Sequence, residues 1–333
     1  MSTADSGLTV AVTGPTGTFG FGLMALLQAD DRVQRIIGIA RRPFEPARHG
    51  WTKMVYRRGD VRDREALERA FEGADVVVHL AFMITGSAGR QETRAINVEG
   101  TRSAFEAAAA SSATRFVYAS SVAAYGFHRD NPVGMREDWP ARPATHLFYG
   151  QEKAETEQLL REHPALDGDI ELYVLRPSVV LGPHGMGAKS VFPGALEPLA
   201  RALPSIARRL PVRLPVIVPD LPLQLVHEHD VGEALRLCIV GAGPAGAYNI
   251  AGDGVLTFAD VARELGFAGL PAAHAPVRAA ARLAARLPFA PPSVEWAEAI
   301  SHPAIMDTTK AKRELGWKPR YTGLEALRET VRS

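Results

Sequence analysis

The chain predicts an α/β fold: a doubly wound parallel sheet with a smaller C-terminal substrate domain. Three observations predict it. Short β-branched apolar runs alternate with longer Ala- and Leu-rich runs through the first half, the order of repeated β-α-β units. The short runs are apolar throughout rather than alternating with polar residues, as strands are when helices cover both faces of their sheet. The 333 residues exceed one average domain, which leaves room for a second unit where the alternation fades.

Leu8 to Thr13, Arg35 to Ala40, Met54 to Arg57, Val76 to Ala81 and Phe116 to Ser120 read as strands. Between them, Phe19 to Ala29, Asp63 to Phe71 and Asn97 to Ser111 read as helices, the last carrying the strong helix formers Ala107 to Ala110. From Pro183 to Pro222 prolines recur, which excludes long helices over much of the stretch. A helix is expected from Gly194 to Ala202, a strand at Leu223 to Val226, a helix from Asp230 to Ile239 and a strand at Ala247 to Ile250. Thr257 to Leu265 resembles a capped helix, and Ala279 to Leu287 has a helical Ala/Arg/Leu pattern within an Ala-, Pro- and Arg-rich stretch, Phe267 to Pro292. The expected organisation is a dinucleotide-binding unit at residues 1 to 174, with residues 223 to 250 returning to its sheet, and a mainly substrate-binding unit at 175 to 333.

Composition narrows the function classes. At 46% hydrophobic and 23% charged residues the chain is globular rather than disordered. Lys and Arg number 38 against 37 Asp and Glu, and a net charge of +1 gives no bulk electrostatic ground for nucleic acid or an anionic membrane as partner. No apolar run approaches the ~20 residues of a membrane span, and the first residues lack a secretory signal pattern. The expectation is a cytoplasmic protein acting on a small molecule. The single cysteine, Cys238, lies between Leu237 and Ile239 and reads as a small buried apolar residue.

The strongest local signal is Thr13-Gly14-Pro15-Thr16-Gly17-Thr18-Phe19-Gly20, which follows the first strand and opens the first helix. Gly14 permits a tight turn, Gly17 lets a phosphate approach the backbone, and Gly20 permits close helix–sheet packing. The helix N-terminus adds N–H groups and a positive dipole, so this context reads as dinucleotide binding. At the end of the second strand an acid would accept the adenosine ribose hydroxyls, whereas arginine pairs with a 2′-phosphate. The residues there are Ala40-Arg41-Arg42, which favours NADP and leaves NAD as the alternative. Tyr149 and Lys153 stand four apart on one helix face, where a nearby cation would lower the phenol pKa toward an acid/base range. Ser121 follows the fifth strand at its carboxyl end, where ligands sit in an open parallel sheet, and could hold a substrate oxygen against Tyr149.

Taken in order, the TGPTGTFG turn, Gly59-Asp60-Val61-Arg62-Asp63, His79-Leu80-Ala81, Asn97-Val98-Glu99-Gly100-Thr101 and Ser120-Ser121-Val122-Ala123-Ala124-Tyr125-Gly126 resemble the extended short-chain dehydrogenases/reductases of the NAD-dependent epimerase/dehydratase group. Tyr149 with Lys153, Leu175-Arg176-Pro177-Ser178-Val179-Val180-Leu181-Gly182-Pro183, Val226-His227-Glu228-His229-Asp230-Val231, Tyr248-Asn249-Ile250 and Asp307 to Trp317 carry the resemblance over nearly the whole chain. It implies that Tyr149 is the acid/base, that Lys153 binds the nicotinamide ribose, and that Ser121 orients the reacting oxygen. It implies cofactor contacts from Gly14, Thr16, Gly17, Thr18, Phe19, Gly20, Asp60, Val61, Leu80, Ala81, Pro177 and Val179, and a helix-fixing role for Asn97. A homodimer through the helices bearing Asn97 and Tyr149 is also implied.

Two departures bear on the substrate. The family commonly has a small residue where this chain has Phe82, followed by Met83, and these would narrow the wall near the nicotinamide. The sugar-nucleotide branch carries an asparagine shortly after the arginine of the sixth strand, and Arg176-Pro177-Ser178-Val179-Val180 has none. The substrate wall is expected from Phe82 to Thr85, His184 to Phe192 and Leu196 to Leu225, and it is mostly apolar. The leading reading is therefore NADP-dependent hydride transfer at a carbonyl or secondary alcohol of a moderately apolar molecule. The alternatives are a sugar-nucleotide epimerase or dehydratase with tightly bound NAD, and a non-catalytic cofactor sensor. No metal is expected: in His227-Glu228-His229-Asp230 only the two histidines share a strand face, and further ligands are missing. Four arginines between Arg201 and Arg213 read as a solvated face.

Overall fold

The structure, a computed structural model, describes residues 7–84, 89–145, 147–185, 212–272 and 302–332. The expected helices at Gly194 to Ala202 and Ala279 to Leu287, and most of the Arg201 to Arg213 stretch, lie outside them. The first half runs β1 (Leu8–Thr13), α1 (Thr18–Ala29), β2 (Val33–Ala40), β3 (Met54–Arg58), α2 (Arg64–Phe71) and β4 (Val76–His79). It continues with α3 (Arg90–Arg94), α4 (Gly100–Ala109), β5 (Arg115–Ala119), α5 (Phe148–Arg161), β6 (Glu171–Pro177) and β7 (Val179–Leu181). Then follow β8 (Pro215–Pro219), β9 (Pro222–Leu223), β10 (Leu225–His227), α6 (Glu228–Ile239), β11 (Gly246–Ile250), β12 (Leu256–Thr257), α7 (Phe258–Glu264), β13 (Ala268–Ala272), α8 (Thr309–Glu314) and α9 (Gly323–Arg332).

Seven strands form one sheet in the order β11-β6-β5-β4-β1-β2-β3, and every pairing in it is parallel. The order reverses at β1, which is flanked by β2 on one side and β4 on the other. Ligands of such sheets bind in the crevice beyond the strand carboxyl ends at that reversal. Continuous apolar strands explain the double winding. Val10, Val12, Val76 and Val78 pack into one core with Leu23, Leu27, Val231 and Leu235, while Ala11 and Val77 pack into the opposite one with Leu67, Phe71 and Phe105. Successive side chains leave opposite faces of a strand, so a strand buried on both sides must be apolar throughout.

Helices α1 and α6 cross with their backbones in contact. A Cβ on Gly22 would lie 2.3 Å from the Glu228 carbonyl oxygen, and one on Gly232 2.3 Å from that of Gly22. That crossing ties the glycine-loop helix to the chain leading into the second half. In α6, the Asp230 carboxylate accepts N–H groups of Arg320 (2.8 Å) and Tyr321 (3.0 Å), and the Asp230 carbonyl accepts from buried Trp317 (2.9 Å). The C-terminal motifs that carry the resemblance are therefore a brace on α6.

Some local expectations need correction. The helix expected from Asn97 begins as a π-turn, Ala95–Glu99, before α4. Of residues 223 to 250, β11 joins the main sheet on β6, but β10 pairs with β7 in a separate two-stranded sheet. The physical reason is that β11 already occupies the outer edge of β6. Ala268–Ala272, inside the Ala/Pro/Arg-rich stretch, is a strand paired with β8. The capped helix is present, with Thr257 and Asp260 forming a reciprocal capping box at the start of α7.

Candidate functional site

The glycine turn stands at the reversal of strand order. Gly14 has φ +69°, and a Cβ there would meet the Ala81 amide nitrogen at 2.8 Å, so the turn lies directly against the end of β4. A Cβ on Gly20 would lie 2.2 Å from the Pro15 carbonyl oxygen, which closes the turn onto α1. Gly17 caps α1 in extended conformation, and no acid occupies its first turn. Among the described residues no side chain caps the first-turn N–H groups, and such N–H groups with the helix dipole suit an anion. Thr16, Thr18 and Phe19 flank Gly17 in the chain, and the Thr18 hydroxyl donates to the His184 carbonyl (2.7 Å).

Gly17→Ala tests this cradle. The added Cβ has only the Gly14 carbonyl oxygen near it, at 3.4 Å, so the fold is expected to hold. A methyl protruding into the phosphate space costs roughly 1–3 kcal/mol, or about 5- to 150-fold in dinucleotide affinity by calorimetry.

Arg41 and Arg42 are exposed just past β2. Tyr56 donates to the Ala40 carbonyl (3.0 Å), and Arg58 donates to that of Arg41 (3.0 Å), which fixes the backbone bearing the arginines. Asp60 accepts two bonds from the Arg62 guanidinium (3.0 and 2.7 Å) and one from its backbone N–H (3.0 Å), and these hold its carboxyl below the usual range. Val61 is buried against Gly100. Leu80 and Ala81 extend from β4, their N–H groups directed at the Thr13 carbonyl (3.1 Å) and hydroxyl (3.4 Å).

Ser121 follows β5 and caps a short turn at Val122–Ala124, accepting from the Ala123 N–H (3.2 Å). Tyr149 lies in the first turn of α5, close enough to Ser121 for that hydroxyl to pull its phenol pKa down. Lys153, one turn on, is 3% exposed and donates to the Ala119 carbonyl at 2.6 Å. The structure thus brings Ser121, Tyr149 and Lys153 together at the carboxyl end of β5. It does not bear out a phenol lowered by the lysine. Burial pushes Tyr149 up to about 12, only partly offset by the Ser121 hydroxyl. Burial also brings Lys153 down to about 7, against a smaller upward pull from Glu157 and Glu152. The Lys153 ammonium is 5.9 Å from the Tyr149 ring centroid and engages Ala119 and Phe82 instead.

Pro177 ends β6, and Val179 opens β7 with 45% of its surface exposed. The Ser178 hydroxyl between them is buried and has no hydrogen-bond partner among the described residues. His184 stacks on Phe21 (4.3 Å between ring centroids) and pairs through Nδ1 with Glu228 (2.8 Å), so it joins the rim to α1 and α6. His227, Glu228 and Asp230 each have protein partners, namely Glu329, His184 and the Arg320–Tyr321 backbone.

Two participants, Glu152 and Glu157, were not foreseen from the sequence. Glu152 is buried and bonded to Asn97 (2.6 Å), and Asn97 clamps both the N–H and the carbonyl of Met83 (2.7 and 2.8 Å). Glu157, fully buried, receives Arg176 and Ser120. The signal was present: Gly150, Lys153, Glu157 and Leu160, with Glu152 and Thr156, follow helical spacing, so both acids lie on the inward stripe of α5.

Comparisons with known proteins agree with this fold. A relative in Mycobacterium tuberculosis (strain ATCC 25618 / H37Rv), itself uncharacterised, is 28% identical over 97% of this chain and 83% of its own length. The UDP-glucose 4-epimerase of Thermotoga maritima, solved with UDP-glucose, superposes with a TM-score of 0.72 at 19% identity, covering 98% of each chain. The dTDP-glucose 4,6-dehydratase of Bacillus anthracis, solved with NAD, superposes at 0.70 and 18% identity over 98% of this chain and 96% of that one. A family model described as the NAD dependent epimerase/dehydratase family matches residues 10–251, from β1 through β11. The chain belongs to the NAD-dependent epimerase/dehydratase family, enzymes of the extended short-chain dehydrogenase/reductase type.

Proposed function

We propose that the chain acts on a sugar nucleotide, moving hydride at a hydroxyl-bearing carbon with NAD retained through turnover. The observation that carries the reading is the convergence of Ser121, at the end of β5, with Tyr149 and Lys153 one turn apart on α5, two strands from the glycine cradle. NAD, when bound, supplies hydride acceptance and return. Tyr149 exchanges the proton of the reacting hydroxyl, Ser121 fixes that oxygen, and Lys153 holds the ribose side of the site. The sugar-nucleotide class is supported by what the superposing epimerase and dehydratase act on. A homodimer through the helices bearing Asn97 and Tyr149 belongs to the same proposal, with light scattering as its check.

A second reading is favoured by a specific observation. Ala40 with exposed Arg41 and Arg42 suits a 2′-phosphate, and exposed Val179 offers apolar rather than amide chemistry, which together fit an NADP-dependent reductase of a less polar carbonyl. Denaturing the purified protein and identifying the dinucleotide released separates the two. Stoichiometric NAD, with isomerisation or dehydration of a UDP- or dTDP-sugar and no net redox, supports the first. A protein that releases no dinucleotide and consumes NADPH with a carbonyl overturns it in favour of the second.

A further inference from the structure

We propose that Phe82 is a positioning residue whose ring roofs the Lys153 ammonium and spaces it from the Tyr149 ring. The inference rests on the reading of Tyr149 and Lys153 above and assigns Phe82 a task beyond lining a wall. Among the described residues no carboxylate lies within ion-pair distance of Lys153, although the ammonium is almost wholly buried. A buried cation needs compensation. Three groups give it: the Ala119 carbonyl at 2.6 Å, the Phe82 ring centroid at 3.5 Å, and the Tyr118 ring centroid at 4.9 Å. The negative face of an aromatic ring is a partner that an aliphatic side chain of similar volume cannot replace.

Phe82 also meets Tyr149 edge to face, with centroids 5.5 Å apart and planes at 84°. It therefore touches both members of the pair. Its backbone is not free to drift, because the next residue, Met83, is held at N–H and carbonyl by Asn97. Asn97 in turn donates to Glu152, the neighbour of Lys153 in sequence. The path Lys153, Phe82, Met83, Asn97, Glu152 closes on itself. Phe82 and Glu152 thus form one device, reaching Lys153 from opposite ends of that path.

The charged and titratable groups around Lys153 are Tyr149, Glu152 and Glu157 of α5, Tyr118 of β5 and His79 of β4. Glu152 is held by Asn97 and Glu157 by Arg176. Replacing Phe82 by Leu or Met leaves these partners in place and removes only the ring face.

The test is competitive acetylation of the full-length protein with acetic anhydride across pH, reading the Lys153 peptide by mass spectrometry. A cation–π contact of this kind corresponds to about 2- to 30-fold in the protonation equilibrium, so in Phe82→Leu and Phe82→Met the Lys153 midpoint falls by roughly 0.4–1.5 pH units. Phe82→Tyr and Phe82→Trp titrate with the wild type. Circular dichroism confirms which variants are folded, and either aliphatic variant suffices. An aliphatic variant that is folded and titrates at or above the wild-type midpoint overturns the proposal. Acetylation does not depend on turnover, so failure of the proposed activity, seen as turnover by Tyr149→Phe, is read separately.

Discussion

Tyr149→Phe is expected to lose turnover by about 10²- to 10⁴-fold, the usual worth of a positioned acid/base, while dinucleotide affinity stays close to wild type. The substitution removes one oxygen and leaves the ring that packs against Phe82. The glycine cradle is built from other residues and keeps its shape. Because burial pushes the phenol up to about 12, it carries its proton at neutral pH and is poised as an acid toward a carbonyl oxygen. In the opposite direction, toward a hydroxyl, the phenolate must form, so that direction gains rate as pH rises. Single-turnover rates of reduction and reoxidation of the bound nicotinamide across pH check the asymmetry, and a Tyr149→Phe protein at full rate would refute the assignment.

The largest stability effect is expected at the buried pair behind the site. Arg176, 2% exposed, sends Nε and Nη2 to the Glu157 carboxylate (3.0 and 2.6 Å) and Nη1 to the Tyr125 hydroxyl (2.6 Å). Arg176→Leu leaves Glu157 buried with only the half-exposed Arg161 and the Ser120 hydroxyl beside it. Removing one partner of such a pair costs about 3–5 kcal/mol, measured as a drop in the free energy of urea unfolding. The pH dependence carries a sign. Burial alone would raise Glu157, but Arg176, Arg161 and Ser120 outweigh it and hold the carboxyl below its ordinary 4.5. The pair's stabilisation is therefore fully present above about 4.5 and is lost as pH falls through the folded value. The difference between wild type and Arg176→Leu should narrow in acid. A loss below about 1 kcal/mol at neutral pH would place the pair with ordinary surface bridges.

The first half of the fold was legible because its physics is local. Val10 to Val12 and Val76 to Val78 are apolar on both faces, which only a doubly covered parallel strand requires, and Gly14, Gly17 and Gly20 fall where the turn, the phosphate space and the helix contact need them. Ser121, Tyr149 and Lys153 were legible from spacing on one helix and one strand end. What surrounds them was not. The proximity of Lys153 to Tyr149 in sequence suggested a phenol lowered by a cation, but desolvation is a tertiary quantity, and it raises the phenol while lowering the amine. The ring of Phe82 reaches Lys153 across 71 positions of chain, and no periodicity encodes that. Strand β10 read as a sheet strand by composition, yet its partner is decided by which edge β11 leaves open.

The central claim is that hydride moves at a bound nicotinamide while Tyr149 exchanges the proton. Its most direct test follows the reduced-nicotinamide absorbance band of the purified, NAD-loaded protein after mixing with UDP-glucose or dTDP-glucose. A transient rise is expected in the wild type and is suppressed in Tyr149→Phe. An equal rise in both proteins, or none in the wild type while the sugar nucleotide is converted, would contradict it.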